Sequence, residues 1–389
     1  MMKQLFFTLF LVSLYLIQST IEAKLLKFKR KSSKGKQLPA YVQCSAPIRY
    51  YFQIGLNDKY LITKAMYNIQ CETFLKFKEE KNLINDTGIN FFVNSEEDKV
   101  KLSYVDKTPT IVNLTENTYH NKVLAGFYFG YALGLIPEIA RKDRNRKVKV
   151  FKQNILPKYR KFYKKKKAYP KSYYATRFDF SSIMFAKPFF GSKSRDKRTY
   201  KLKTYSDYNK QIKEFNEFSF NDYKRLNILY CKDECKNSIR CENFGYHGDN
   251  CDSCKCFFPF RGRDCRSYVL RSKECGKEFA TKAYPKPRQK IFTDLHGECY
   301  YIIKANNPKK KVKLTIKKFN TTKIYSYDLI IKYRKDKGAE GLKIERNITE
   351  LKFPPLSRSV IITYTSYDWD NELVLEYQEV KRFRKIKSH

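Results

Sequence analysis

The chain has 389 residues, enough for two or more domains with separate cores. It carries 80 Lys and Arg against 39 Asp and Glu, a net charge of +41. That excess is larger than solubility needs and points either to acidic partners or to lysine-rich solvated faces. No P-loop or dinucleotide fingerprint occurs, no Ser/His/Asp set stands out, and the four histidines (His120, His247, His296, His389) are scattered, which argues against a second catalytic cluster.

Met1 to Ala23 reads as a secretory signal: Lys3, then LFFTLFLVSLYLI, then a small residue. A membrane anchor is the alternative, but the apolar run is shorter than a full span, and no later stretch would span. A secreted, extracellular chain is therefore expected. The eleven cysteines then read as disulfides, and an odd count leaves one free or paired between chains. Four sequons, at Asn85, Asn113, Asn320 and Asn347, fit glycosylation. Residues 24–39 form a basic linker; Lys27-Phe-Lys-Arg30 is a processing site or simply solvated.

In residues 40–231, PIRYYFQI and INFFV read as strands. ITKAMYNIQCETFLKF puts Ile62, Met66, Ile69 and Phe74 near one helix face. FYFGYALGLIPE (127–138) is an aromatic stretch ending at Gly134, and FDFSSIMFA (178–186) follows a few dozen residues later. On periodicity alone the first is a core helix. Residues 232–266 hold six cysteines, closing with C-x-C-x2-P-x2-G-x2-C from Cys254 to Cys265. Residues 275–378 run through KVKLTIKKF, YDLIIKY and SVIITYTSY, alternating as sandwich strands do. Residues 379–389 are a basic tail.

Several stretches together resemble astacin-type metzincin proteases. The family's zinc helix reads H-E-x-x-H-x-x-G-x-x-H and its later turn S-I-M-H-Y. Two histidines at i and i+4 share a helix face, the Gly ends the helix, and the Glu activates the zinc-bound water. Here Phe127, Tyr131 and Pro137 occupy the three zinc positions and Tyr128 that of the general base. Gly134 and Met184 are kept, and Ala186 replaces the Tyr of the turn. The flanks carry the resemblance: EIARKDRNRKVKVFKQNI with Glu138, Arg141, Asp143 and Arg144, then LPKYRKFYK, and SFNDYKRLNILYC. No prosegment fits between Ala23 and Pro39, as expected of a domain with no metal to mask. Residues 232–266 are similar to an EGF-like module and 275–378 to a CUB domain, opened by Cys275-Gly and Cys299-Tyr-Tyr-Ile-Ile. A zinc knuckle at Cys251-x2-Cys254 is the rival to the EGF-like reading. The resemblance implies an α+β fold: an astacin-like protease domain, a small disulfide-rich module and a β-sandwich.

It also implies disulfides Cys235–Cys251, Cys241–Cys254, Cys256–Cys265 and Cys275–Cys299. The family bonds the cysteine at the Phe74 position to that at Cys231; a shifted Cys71–Cys231 bond is expected, leaving Cys44 unpaired. Asp328 and Asp368 are either remnants of a CUB calcium site or loop acids. A zinc site needs three or four N, O or S ligands, and phenol (pKa near ~10) is a poor one. The expectation is a secreted pseudo-metalloprotease that binds no zinc cofactor and holds an extracellular protein or sulphated polyanion. The alternative is an active zinc metalloendopeptidase with replacement ligands; a nucleic-acid partner has only charge behind it. A polyanion site is expected on one strand face at Lys311, Lys313 and Lys317, opposite Leu314 and Ile316.

Overall fold

A computed structural model describes residues 38–39, 42, 44–56, 58–166, 169–203, 217–322, 327–367 and 369–381. The signal segment, Arg30, the run from Lys24 to Lys36, Asp368 and the tail beyond residue 381 lie outside the described residues.

The first layer is a five-stranded sheet in the order β2 (Phe77–Glu79), β1 (Ile48–Phe52), β3 (Ile89–Val93), β5 (Thr110–Leu114), β4 (Lys99–Lys101). All pairings are parallel except that of the edge strand β4. Parallel strands must be covered by helices, and two long helices lie alongside. Helix α1 (Tyr60–Glu72) buries Ile62, Met66 and Ile69, the face its spacing requires. Thr73 then turns to extended backbone, so Phe74 lies beyond the helix. After the one-turn helix α2 (Glu116–Tyr119) comes α3 (Lys122–Ala132), which Asn121 caps by accepting from the Leu124 amide at 3.0 Å. The short ribbon β6 (Val148–Val150) and β7 (Tyr200–Leu202), the one-turn helix α4 (Arg160–Tyr163) and helix α5 (Phe220–Tyr230) complete this unit. Ser219 and Asp222 close a reciprocal capping box at the start of α5.

Next comes a small module of two hairpins, β8 (Tyr246–His247) with β9 (Cys254–Lys255) and β10 (Phe260–Arg261) with β11 (Ser267–Tyr268). It has little core, so covalent staples matter. Bonds Cys235–Cys251, Cys241–Cys254 and Cys256–Cys265 supply them. The third unit is a sandwich. One sheet runs β12 (Ala280–Ala283), β14 (Gly297–Ala305), β19 (Ser359–Ser366), β16 (Tyr327–Lys332), β17 (Leu342–Ile344). The other runs β13 (Arg288–Thr293), β20 (Asn371–Val380), β15 (Lys311–Thr321), β18 (Leu351–Phe353). Cys275–Cys299 ties its entry to β14.

One expectation is corrected. Cys44, not Cys71, bonds Cys231 (Cα–Cα 5.2 Å), and Cys71 is the free thiol. The reason is where α1 ends. The Phe74 amide donates to Asn227 Oδ1 at 3.2 Å, so the backbone beyond the helix is what meets α5. Cys71 lies a turn earlier, half-buried, with its carbonyl accepting from Lys255 Nζ at 2.7 Å. On β15 Leu314 and Ile316 are buried, while Lys313 is exposed and Lys311 and Lys317 are half-buried, as alternation expects. A bulge between Ile316 and Lys318 interrupts the strand at Lys317, which pairs with Glu350 at 3.2 Å. Lys313 lies opposite Gln378, and Glu376 and Glu372 follow on the same partner strand.

The sequons differ in setting. Asn85 and Asn320 are exposed, Asn113 sits half-buried between β3 and β4, and Asn347 Nδ2 donates to the Thr321 carbonyl at 3.3 Å. Asp328 is paired with Lys343 at 2.7 Å.

Candidate functional site

Helix α3 is buried on every side from Ala125 to Ala132, so it has no solvent stripe to keep polar. Its glycines set how closely the 178–186 turn approaches. A Cβ on Gly126 would lie 2.9 Å from Ile183 Cγ1, and one on Gly130 would lie 2.7 Å from Met184 Sδ. Gly134, at φ +80°, ends the helix where an L side chain would be strained. Tyr230 fixes that end, donating its hydroxyl to the Leu133 carbonyl at 2.8 Å. The Glu138 amide then donates to the Met184 carbonyl at 2.9 Å. Phe127, Tyr128, Tyr131, Pro137 and Met184 are thereby gathered into one buried region.

That region is filled with rings. Phe127 lies 5.5 Å from Phe162 and 5.0 Å from Phe190, centroid to centroid. Tyr131 lies 5.2 Å from Phe162, and Phe162 lies 5.5 Å from Phe190. Exposure is 1% at Phe127, 0% at Tyr128 and 9% at Tyr131. Ala186 is also buried, and its carbonyl accepts from the Tyr200 hydroxyl at 2.7 Å. Phe162 and Phe190 were missed in the sequence; one is in the LPKYRKFYK stretch, but nothing in spacing marks either as facing α3.

The residues expected at the zinc positions do not fit a metal. Phe127 and Pro137 have no donor atom. Burial, with a smaller effect from Tyr104, pushes the Tyr131 phenol up to about 12, so it stays neutral at physiological pH. Burial raises Tyr128 further still, helped by the Asp98 carboxylate, and its hydroxyl has no hydrogen-bond partner among the described residues. Among the described residues, His/Cys/Asp/Glu atoms converge as ligands might only at Cys241, His247 and Cys254. Both cysteines there are in one disulfide and offer no thiolate. His120, just before the Asn121 cap of α3, faces Asp58, while His247 contacts Ser238 and His296 stacks on Trp369.

Around this apolar centre lies a buried polar frame, in which Glu138 Oε1 and Arg141 Nη1 make no hydrogen bond among the described residues. Glu138, Arg141 and Arg225 are fully buried. Arg225 Nη1 contacts Glu138 Oε1 at 2.5 Å and Asp222 Oδ1 at 3.0 Å. Asp222 in turn accepts from Ser182 Oγ at 2.6 Å and the Ile183 amide at 3.0 Å, gripping the turn that carries Met184. Asp179 accepts from Ser181 Oγ at 2.6 Å, and its amide donates to Glu138 Oε2 at 3.1 Å. Arg141 reaches Asp143 at 2.9 Å and the Thr176 carbonyl at 2.9 Å. Burial raises the Glu138 carboxyl to about 7, against the opposing pull of Arg225 and Arg141. Asp222 and Arg225 carry this frame yet were not singled out beforehand; the Ser219-x-x-Asp222 capping pattern was the available signal. The sandwich unit docks behind the same turn, where Asp336 accepts from the Arg177 amide at 2.8 Å and from Asn221 at 3.3 Å.

Residues 38–231 match the family model described as Astacin, a peptidase family. Zinc metalloproteinase nas-36 of Brugia malayi is 27% identical over 277 residues, covering 66% of this chain and 44% of that protein. Zinc metalloproteinase nas-34 of Caenorhabditis elegans is 32% identical over 178 residues, 45% of this chain and 29% of that one. The chain thus spans less than half the length of either. Among solved structures, high choriolytic enzyme 1, a hatching enzyme zinc-protease from Oryzias latipes (Medaka fish), aligns with a TM-score of 0.41 and 19% identity over 51% of this chain and 96% of that one.

Proposed function

We propose, from the premise that residues 38–231 are an astacin-family domain, that this member is an extracellular binding protein without zinc-dependent peptidase activity. The observation that supports the proposal is the ring cluster of Phe127, Tyr128, Tyr131, Phe162 and Phe190, three of which stand where the resemblance expects two metal ligands and the general base. Peptide hydrolysis of the family type needs an activated water on a Lewis acid, and Phe127, Tyr128, Tyr131 and Pro137 supply no holder for either. What remains is a rigid frame. The disulfide ladder of residues 232–266 supports an EGF-like module, and the two packed sheets support a CUB domain over 275–378. Both are module types suited to holding a protein or polyanion. Five disulfides support secretion behind a signal at 1–23.

The test is metal analysis of the protein purified from a secretory host, with a broad peptide-library cleavage assay with and without chelator. Substoichiometric zinc and no chelator-sensitive cleavage are expected. Stoichiometric zinc together with chelator-sensitive cleavage overturns the proposal in favour of a working endopeptidase.

A further inference from the structure

A groove of about 970 Å³ opens on the first domain. Its walls come from β6, the turn after it, the one-turn helix α4 and the residue following β7. Eight cations line it: Arg144, Lys149, Lys152, Arg160, Lys161, Lys164, Lys165 and Lys203. No Asp or Glu does. Among the described residues none of the eight pairs with a carboxylate, although such pairs form elsewhere on the surface, for instance Lys158 with Glu97 at 3.0 Å. Like charges held this close repel one another, so a counter-anion is favoured.

At the floor lies Arg144. It is 6% exposed, and two of its hydrogen bonds go to the Ile139 and Tyr163 carbonyls, anchoring it under the lysines. Its Nε–H is buried with no partner among the described residues. A buried donor left unmade is costly. Burial also lowers the Arg144, Lys161 and Lys166 side chains from their usual ranges, in the last with help from Lys164.

We infer that this groove, rather than the β15 lysines, binds a linear sulphated glycan. Charge complementarity commits the occupant to a polyanion. Lysine dominates the lining, and its ammonium serves as a point charge for dispersed sulphates, whereas arginine forks are the usual choice for repeated bidentate phosphate contacts. Bases of a single-stranded nucleic acid would need exposed aromatic faces to stack on. The one lining aromatic, Tyr163, is buried, and its hydroxyl donates to the Phe190 carbonyl at 2.6 Å. Val148 and Ile155 are buried like Tyr163, so the groove presents charge and no apolar or aromatic platform, which suits the dispersed sulphates of a glycan. The inference rests on the extracellular binding reading above, but its test uses no metal or cleavage readout, so either can fail alone.

The experiment titrates the full-length secreted protein with a size-defined heparin octasaccharide, the same octasaccharide with its sulphates removed, and a single-stranded homopolymer RNA of matched charge. One variant carries Lys149→Gln, Lys152→Gln, Lys161→Gln and Lys164→Gln. A control carries Lys304→Gln, Lys309→Gln, Lys311→Gln and Lys313→Gln on the sandwich, removing equal charge. Unchanged thermal midpoints establish that both fold. The groove variant is expected to lose about tenfold or more in octasaccharide affinity at 0.15 M salt, the control less than about threefold. The desulphated chain should not bind measurably. Equal losses in both variants overturn the site and leave net charge alone; RNA binding as tight as the octasaccharide, with the same sensitivity to the groove variant, overturns the glycan assignment.

Discussion

Phe162→Ala tests the ring cluster directly. Phe162 is 2% exposed and lies within stacking distance of five rings: Tyr131 at 5.2 Å, Phe127 and Phe190 at 5.5 Å, Tyr128 at 6.0 Å and Tyr159 at 6.3 Å. Truncating a buried Phe costs about 3–5 kcal/mol, set by how far the surroundings collapse into the hole. Helix α4 has only one turn and can relax inward, which favours the lower part of the range, about 3–4 kcal/mol. Five aromatic pairs, each worth about 0.5–1.5 kcal/mol beyond area, keep the loss from falling further. In a domain of this size that corresponds to a melting point lowered by roughly 6–16 °C. Scanning calorimetry of the intact protein reads it, with Phe162→Leu expected to recover more than half. A shift under about 3 °C for the alanine variant would refute the reasoning: the region would then be a hydrated cleft, with Phe162 lying loosely over it.

The sequence carried the frame well because its signals are local. Gly134 and Met184 sit at the positions where backbone geometry and close packing require them, and the strands and α1 follow from residue alternation and helical spacing. The ring cluster was only half legible. Phe127, Tyr128 and Tyr131 are read from one helix, but Phe162 and Phe190 reach them from segments with no periodic pattern. The basic groove was less legible still, since β6, α4 and the residue after β7 are brought together only by the fold; the sequence shows a run from Lys164 but not its partners. On β15 the lysine face was legible but its surroundings were not. Alternation along a strand is local, but the bulge at Lys317 and the acids on β20 belong to the pairing. The Cys71 expectation failed: one helical turn looked interchangeable, yet the exit of α1 toward Asn227 decided the partner.

Three further outcomes are expected. Under native conditions one equivalent of a thiol reagent should label Cys71, and non-reduced peptide mapping should recover Cys44 linked to Cys231; Cys44→Ser, opening a loop of sequence separation 187, should cost at most about 5 kcal/mol by chain entropy. Arg225→Met should cost about 3–5 kcal/mol in urea unfolding because Glu138 and Asp222 lose a buried cation, whereas Asp143→Asn at the network's edge should cost about 1 kcal/mol or less. The third concerns pH. Tyr131 has its phenol raised from 10.0 in the unfolded chain to about 12 in the fold, by burial first. The folded state keeps the proton that the unfolded state releases, so this contribution is fully present below pH 10 and is lost as pH rises to about 12. Between pH 9 and 11 that amounts to about 1.3 kcal/mol for this one group. Other buried tyrosines also lose stability there, but they are common to wild type and Tyr131→Phe and cancel in the comparison. Urea unfolding of both proteins at those two pH values should therefore show the wild type losing about 1.3 kcal/mol more than the variant. Equal losses would place the Tyr131 hydroxyl in water and open the region that the rings are argued to fill.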